Sequence, residues 1–118
     1  MPRAIDMHVH PGTREYVVDA GGQFHRHAFN YLRSDVEAVS AAEMADLYRR
    51  LDIMAIVFAW DAETATGLPR VSNDFVAELV RNHPDVFLGF ASVDPWKGRV
   101  APGPWRRRRW RASGTLSS

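Results

Sequence analysis

The sequence predicts an α/β protein built on a parallel sheet. Three observations carry this. An N-terminal stretch alternates with period two, two later stretches have helical spacing, and two short continuous apolar runs each follow one of those helical stretches. Strands that alternate with helices pair in parallel through right-handed crossovers.

Arg3 to His10 is the first expected strand. Strict alternation places Ile5, Met7 and Val9 on one face and Asp6, His8 and His10 on the other. Pro11-Gly12 ends it. Residues 11–39 show no clean period and hold Gly21-Gly22 at their middle, so they read as a long connection, a kind that often carries function. Ser40 and Glu43 then fit a capping box, and Met44, Leu47, Tyr48 and Leu51 follow the spacing of an amphipathic helix. "IMAIVFAW" (53–60) is a continuous apolar run, as expected of a strand buried on both faces. Residues 61–72 read as loop. Residues 73–83 give a second helix, capped by Ser72 or Asn73, with Phe75, Val76, Leu79 and Val80 inward and Pro84 beyond its end. "VFLGFASV" (86–93) is the third strand.

Composition narrows the function classes. The 118 residues include no cysteine, which excludes disulfides, thiolate metal sites and a cysteine nucleophile. The longest apolar run, Ile53 to Trp60, is too short to cross a bilayer. "MPRAID" lacks the pattern of a signal peptide, so the expectation is a cytoplasmic protein with no membrane partner. Charge is unevenly spread. Residues 1–98 hold nine basic and all fourteen acidic residues, a net −5, while residues 99–118 hold six arginines and no acid, a net +6.

The chemistry-bearing motif is "IDMHVH" (5–10). Active sites of parallel α/β folds gather at the C-terminal ends of strands, which is where His8 and His10 fall. Their side-chain bases are about 6.5–7 Å apart, close enough for two imidazoles to converge on one ion. Asp6, one layer deeper on the same expected face, is placed to orient a histidine or approach the ion. A His-x-His pair alone is a weak motif; position, aspartate and the Pro-Gly turn strengthen it. His25 and His27 form a second such pair without a strand to fix them, and read as solvated or structural. His83, at a helix end, is expected to meet helix carbonyls. By position alone, Trp60, Asp61 and Asp94 end the second and third strands and are candidates for a substrate pocket. Core packing competes for Trp60, loop solvation or helix capping for the two aspartates. Asn73-Asp74 reads as a cap.

"IDMHVH" opening a βα series resembles the first strand of the metal-dependent amidohydrolase superfamily. "NDFVAELVRNHPDVFLGFASVDPWKG" (73–98) is similar to the amidohydrolase-related branch that includes aminocarboxymuconate-semialdehyde decarboxylase and the resorcylate-type decarboxylases. There, an Asn-Asp opens the second helix and a His-Pro-Asp turn leads to a third strand ending near Asp-Pro. The resemblance covers about residues 3–98. It implies a (β/α)8 barrel that binds a divalent metal, Zn²⁺ first, with His8 and His10 as first-strand ligands and Asp6 in support. It also implies a small carboxylated, amide or ester substrate, undergoing hydrolysis or non-oxidative decarboxylation, and is compatible with an oligomer.

The pattern is also incomplete. A barrel of this kind takes about 250 residues, and this chain supplies three strands and two helices without the later-strand ligands. The expectation is therefore the N-terminal portion of such a barrel over residues 1–98, inactive by itself. Residues 99–118 read as an unstructured Arg-rich tail, because Pro102 and Pro104 oppose a helix and Trp105, Trp110 and Arg106 to Arg109 form no core face. One reading makes that tail a binder of nucleic acid or an acidic surface. The favoured one makes it a frameshift product, since the resemblance stops abruptly between Lys97 and Val100.

Overall fold

The computed structural model describes residues 1–100, 109–110 and 116–117. Its centre is a three-stranded parallel sheet in the order β1 (Ala4–Val9), β2 (Ile53–Phe58), β3 (Phe87–Phe90). The continuous apolar run becomes the central strand, where both neighbours and the helices cover it. Ala55 and Val57 are wholly buried, and Ile56 on the other face is only 7% exposed. Two helices, α2 (Ala41–Leu51) and α4 (Asn73–Asn82), share one core with one face of the sheet. Met44, Ala45, Val76, Leu79 and Val80 meet Ala55, Val57 and Phe87 there. Among the described residues the opposite face is open, with Ile5, Leu88 and Phe90 exposed.

Local chemistry fixes both helix starts. Ser40 Oγ accepts from the Glu43 amide at 3.1 Å, and the Glu43 carboxylate accepts from the Ser40 amide at 2.7 Å, completing the expected box. Ser72, not Asn73, caps α4, accepting from the Phe75 amide at 3.0 Å. The inward stripe of α2 is narrower than its spacing predicts. Met44 and Ala45 are buried, whereas Leu47 and Leu51 stay exposed. His83 also departs from expectation. Its Nδ1 accepts from the Arg49 guanidinium at 3.1 Å, beside the bidentate Arg49–Asp85 pair.

The segment expected to be an irregular connection is largely helical. A π-helical turn (Glu15–Ala20) runs into α1 (Gly22–Leu32). No residue of α1 is fully buried; Gly22, His25 and Phe29 form a half-buried stripe along it. The third strand stops at Phe90, three residues early, and β2 stops at Phe58. Beyond β2, Trp60 forms an isolated bridge with Val71 that closes the loop carrying the single turn α3 (Glu63–Thr66). After Asp94 the chain makes a 3-10 segment (Pro95–Val100), broken at Gly98, whose φ of 60° and ψ of −126° suit only glycine. The expected unstructured tail falls mostly outside the described residues. Its described pieces, β4 (Arg109–Trp110) and β5 (Leu116–Ser117), pair antiparallel. Among the described residues, no helix is long and apolar enough to cross a membrane.

Candidate metal centre

β1 does not keep strict alternation. Asp6 pairs with Ala55 and Val9 with Val57, so three steps along β1 match two along β2. The extra residue is a bulge. Paired residues share a face, and Ala55 and Val57 both belong to the helix-covered core. Asp6 and Val9 therefore both face the helices. This corrects the expected grouping of Asp6 with the two histidines. The Asp6 carboxylate accepts from the Tyr48 hydroxyl of α2 at 3.3 Å and from the His8 amide at 3.4 Å. Its support of His8 runs through the backbone at the bulge, and no hydrogen bond joins it to either imidazole among the described residues.

His8 and His10 come together at the C-terminal end of β1, with their Nε2 atoms 3.2 Å apart and their ring centroids 5.0 Å apart at 67°. Two Zn–N bonds of 2.0–2.1 Å at a tetrahedral angle require about 3.3–3.4 Å between nitrogens. The pair therefore fits two corners of one coordination sphere. The same separation also lets one neutral ring donate a hydrogen bond to the other.

Aromatic rings fix both imidazoles. Phe58 stacks on His8 at 4.5 Å, and Phe90 stacks on Phe58 at 5.3 Å. Tyr16 lies face to face with His10 at 4.7 Å and 16°, while Trp60 meets the His10 ring edge-on at 5.3 Å. Burial lowers the pKa of His10 most, followed by the charges of His8 and His25; the Phe58 carbonyl acts weakly the other way. These effects favour the neutral ring, the form that binds metals. His10 Nδ1 is buried without a hydrogen-bond partner. Beside the pair, a groove of about 540 Å³ is lined by Val9, His10, Gly12, Val39, Met44 and Tyr48.

The other candidates are engaged elsewhere. Both Asp61 oxygens accept from Lys97 Nζ at 2.7 Å, and Glu63 accepts from the same ammonium at 2.8 Å. Asp94, 2% exposed, accepts from the Thr64 amide at 3.0 Å and the Trp96 amide at 2.9 Å, binding α3 to the turn after β3. Asn73 is not a cap. It donates to the Ser92 carbonyl at 3.0 Å and accepts from the Ser92 amide at 2.8 Å, clamping the exit of β3. Trp60 packs against the core, as its packing reading expects, and its ring also meets that of His10. Sequence reasoning missed Tyr16 and Phe58. Phe58 follows directly on Val57, the partner of Val9, a register set by the bulge in β1 that the sequence does not announce. Tyr16 lies on an unforeseen helical turn and carried no signal.

Among the described residues, no group of three or more His, Cys, Asp or Glu side chains is arranged to hold a metal ion. His8 and His10 are two donors. Compared with models of known protein families, with curated proteins and with solved structures, the chain matches none of them.

Proposed function

We propose that this chain carries the first-strand half of a metal site of the amidohydrolase type, and that the complete site acts on a small carboxylated, amide or ester substrate. The observation that carries this reading is the convergence of His8 and His10 Nε2 at 3.2 Å, at a strand end where α/β folds place their chemistry. The sequential parallel order of the strands, with α2 and α4 in one core, supports a segment of a singly wound barrel. Right-handed crossovers between successive neighbours place the crossover helices on one side, as α2 and α4 are. The open face of the sheet corresponds to the inside of that barrel.

In this reading His8 and His10 donate Nε2 lone pairs to a divalent ion, Zn²⁺ first. Further donors come from outside the described residues. A bound Zn²⁺ supplies Lewis acidity and a water of lowered pKa. Tyr16 and Trp60 hold the His10 ring, Phe58 holds His8, and Asp6 accepts from the His8 amide at the bulge. The location is cytoplasmic, with neither a membrane nor nucleic acid as partner; assembly with a second chain is one source of the remaining donors.

The test is metal content after dialysis against Zn²⁺, for the chain and for the His8→Ala/His10→Ala variant. The reading predicts that the variant loses its bound zinc. Equal zinc in both proteins would remove the ligand assignment.

A further inference from the structure

His25 belongs to none of the roles above, yet the structure places it one ring away from His10. Tyr16 lies flat on the His10 imidazole, and the His25 ring meets Tyr16 at 4.7 Å and 66°. The outer side of His25 is closed by Phe29 at 5.5 Å. The ring is oriented by a hydrogen bond between Nδ1 and the Val17 carbonyl at 3.2 Å. A carbonyl only accepts, so Nδ1 carries the proton. That bond ties α1 back to the π-helical turn bearing Tyr16.

Gly21 lies between these two elements and is buried. Its backbone is right-handed helical, φ −82° and ψ −38°, a conformation open to every residue. Conformation does not call for glycine here, but space does. A Cβ at residue 21 would overlap the His25 ring at Nδ1, Cγ and Cε1. It would occupy the position from which Nδ1 bonds to Val17.

We infer that Gly21 and His25 are positioning residues for His10, acting through Tyr16. Gly21 leaves the space, His25 fills it and braces Tyr16, and Tyr16 sets the plane of the His10 imidazole. The inference goes beyond the metal reading. It rests on that reading only for its consequence in metal affinity.

The experiment uses the full chain and four proteins: wild type, Gly21→Ala, His25→Ala and the double variant. The first readout is the NMR shift of the His10 ring protons without metal. A ring stacked as Tyr16 is shifts them upfield. Gly21→Ala and His25→Ala should each move them back toward the values of a free histidine. In the His25→Ala background the Gly21→Ala change should add nothing, because the overlap it creates is gone. The second readout is Zn²⁺ affinity by competition with a chromophoric chelator. Losing a hydrogen-bonded outer partner costs about 10–100-fold; Gly21 and His25 act one contact further out, through stacking, so each single variant should bind Zn²⁺ more weakly by up to about tenfold. His10 shifts unchanged in both single variants, or Gly21→Ala acting equally in both backgrounds, would overturn the inference. A wild type that binds no Zn²⁺ refutes the metal reading instead, and the NMR comparison still decides this one. Because His25→Ala only removes atoms, it serves if Gly21→Ala fails to fold.

Discussion

Replacing Asn73 by Asp separates two roles that one residue can play at a helix start. At the first position of α4, a residue that merely caps or complements the helix would gain from a negative charge, by about 0.3–1 kcal/mol. The structure gives Asn73 a different task, since its amide group donates to the Ser92 carbonyl at 3.0 Å and accepts from the Ser92 amide at 2.8 Å. An aspartate keeps the acceptor and loses the donor. It sets a carboxylate oxygen against the Ser92 carbonyl, which is then left unpaired at a cost of about 1–3 kcal/mol. Net of the gain at the helix terminus, the variant should lose about 1–2 kcal/mol. With a urea dependence of about 1.5 kcal/mol per molar, the unfolding midpoint should fall by about 1 M. The assay is urea unfolding followed by far-UV circular dichroism at low protein concentration. An unchanged or raised midpoint in Asn73→Asp would refute the clamp and return the residue to helix capping.

Ser40→Ala removes the hydroxyl half of the capping box and should cost about 1 kcal/mol in the same unfolding assay; no change would mean that the box contributes nothing. Acid should destabilise the fold through its carboxylates. The Thr64 hydroxyl and amide, then the Trp96 amide, hold Asp94 below the usual carboxylate range, and the Arg49 guanidinium does the same for Asp85. Groups lowered in the folded state contribute in full above their unfolded pKa of about 4, and that contribution is lost as pH falls through the lowered values. Melting temperature should therefore drop below about pH 4, with a shallower drop in Asp94→Asn; a flat acid limb in the wild type would contradict this. The open face of the sheet should bind the dye ANS, and Phe90→Ser should reduce that binding, since Phe90 is 49% exposed there; equal fluorescence would place the apolar surface elsewhere.

The sequence revealed most where a local rule decides the outcome. The Ser40–Glu43 box, the buried run of β2 and the inward stripe of α4 each follow from spacing and residue type. What it hid depends on contacts between distant segments. Alternation cannot announce a bulge, so Asp6 was expected beside His8 and His10 and lies on the opposite face. Helix α1 buries none of its residues, and it starts at Gly21-Gly22 with no side-chain cap, so the usual signals of a helix start were missing there. Asn73 looked like a cap because its partner, Ser92, lies nineteen residues away. The histidine pair was legible as a candidate, because a strand end fixes two side chains two residues apart. The rings that hold it were not, since Tyr16 and His25 reach it only through the fold of residues 11–33.

His8 and His10 are proposed to bind one metal ion through Nε2. The most direct measurement is a long-range ¹H–¹⁵N NMR spectrum of the imidazoles, recorded with and without one equivalent of Zn²⁺. The Nε2 resonances of His8 and His10 should shift together, while those of His25, His27 and His83 stay in place. A spectrum in which His8 and His10 do not move, or in which Zn²⁺ goes instead to the other histidines, would contradict it.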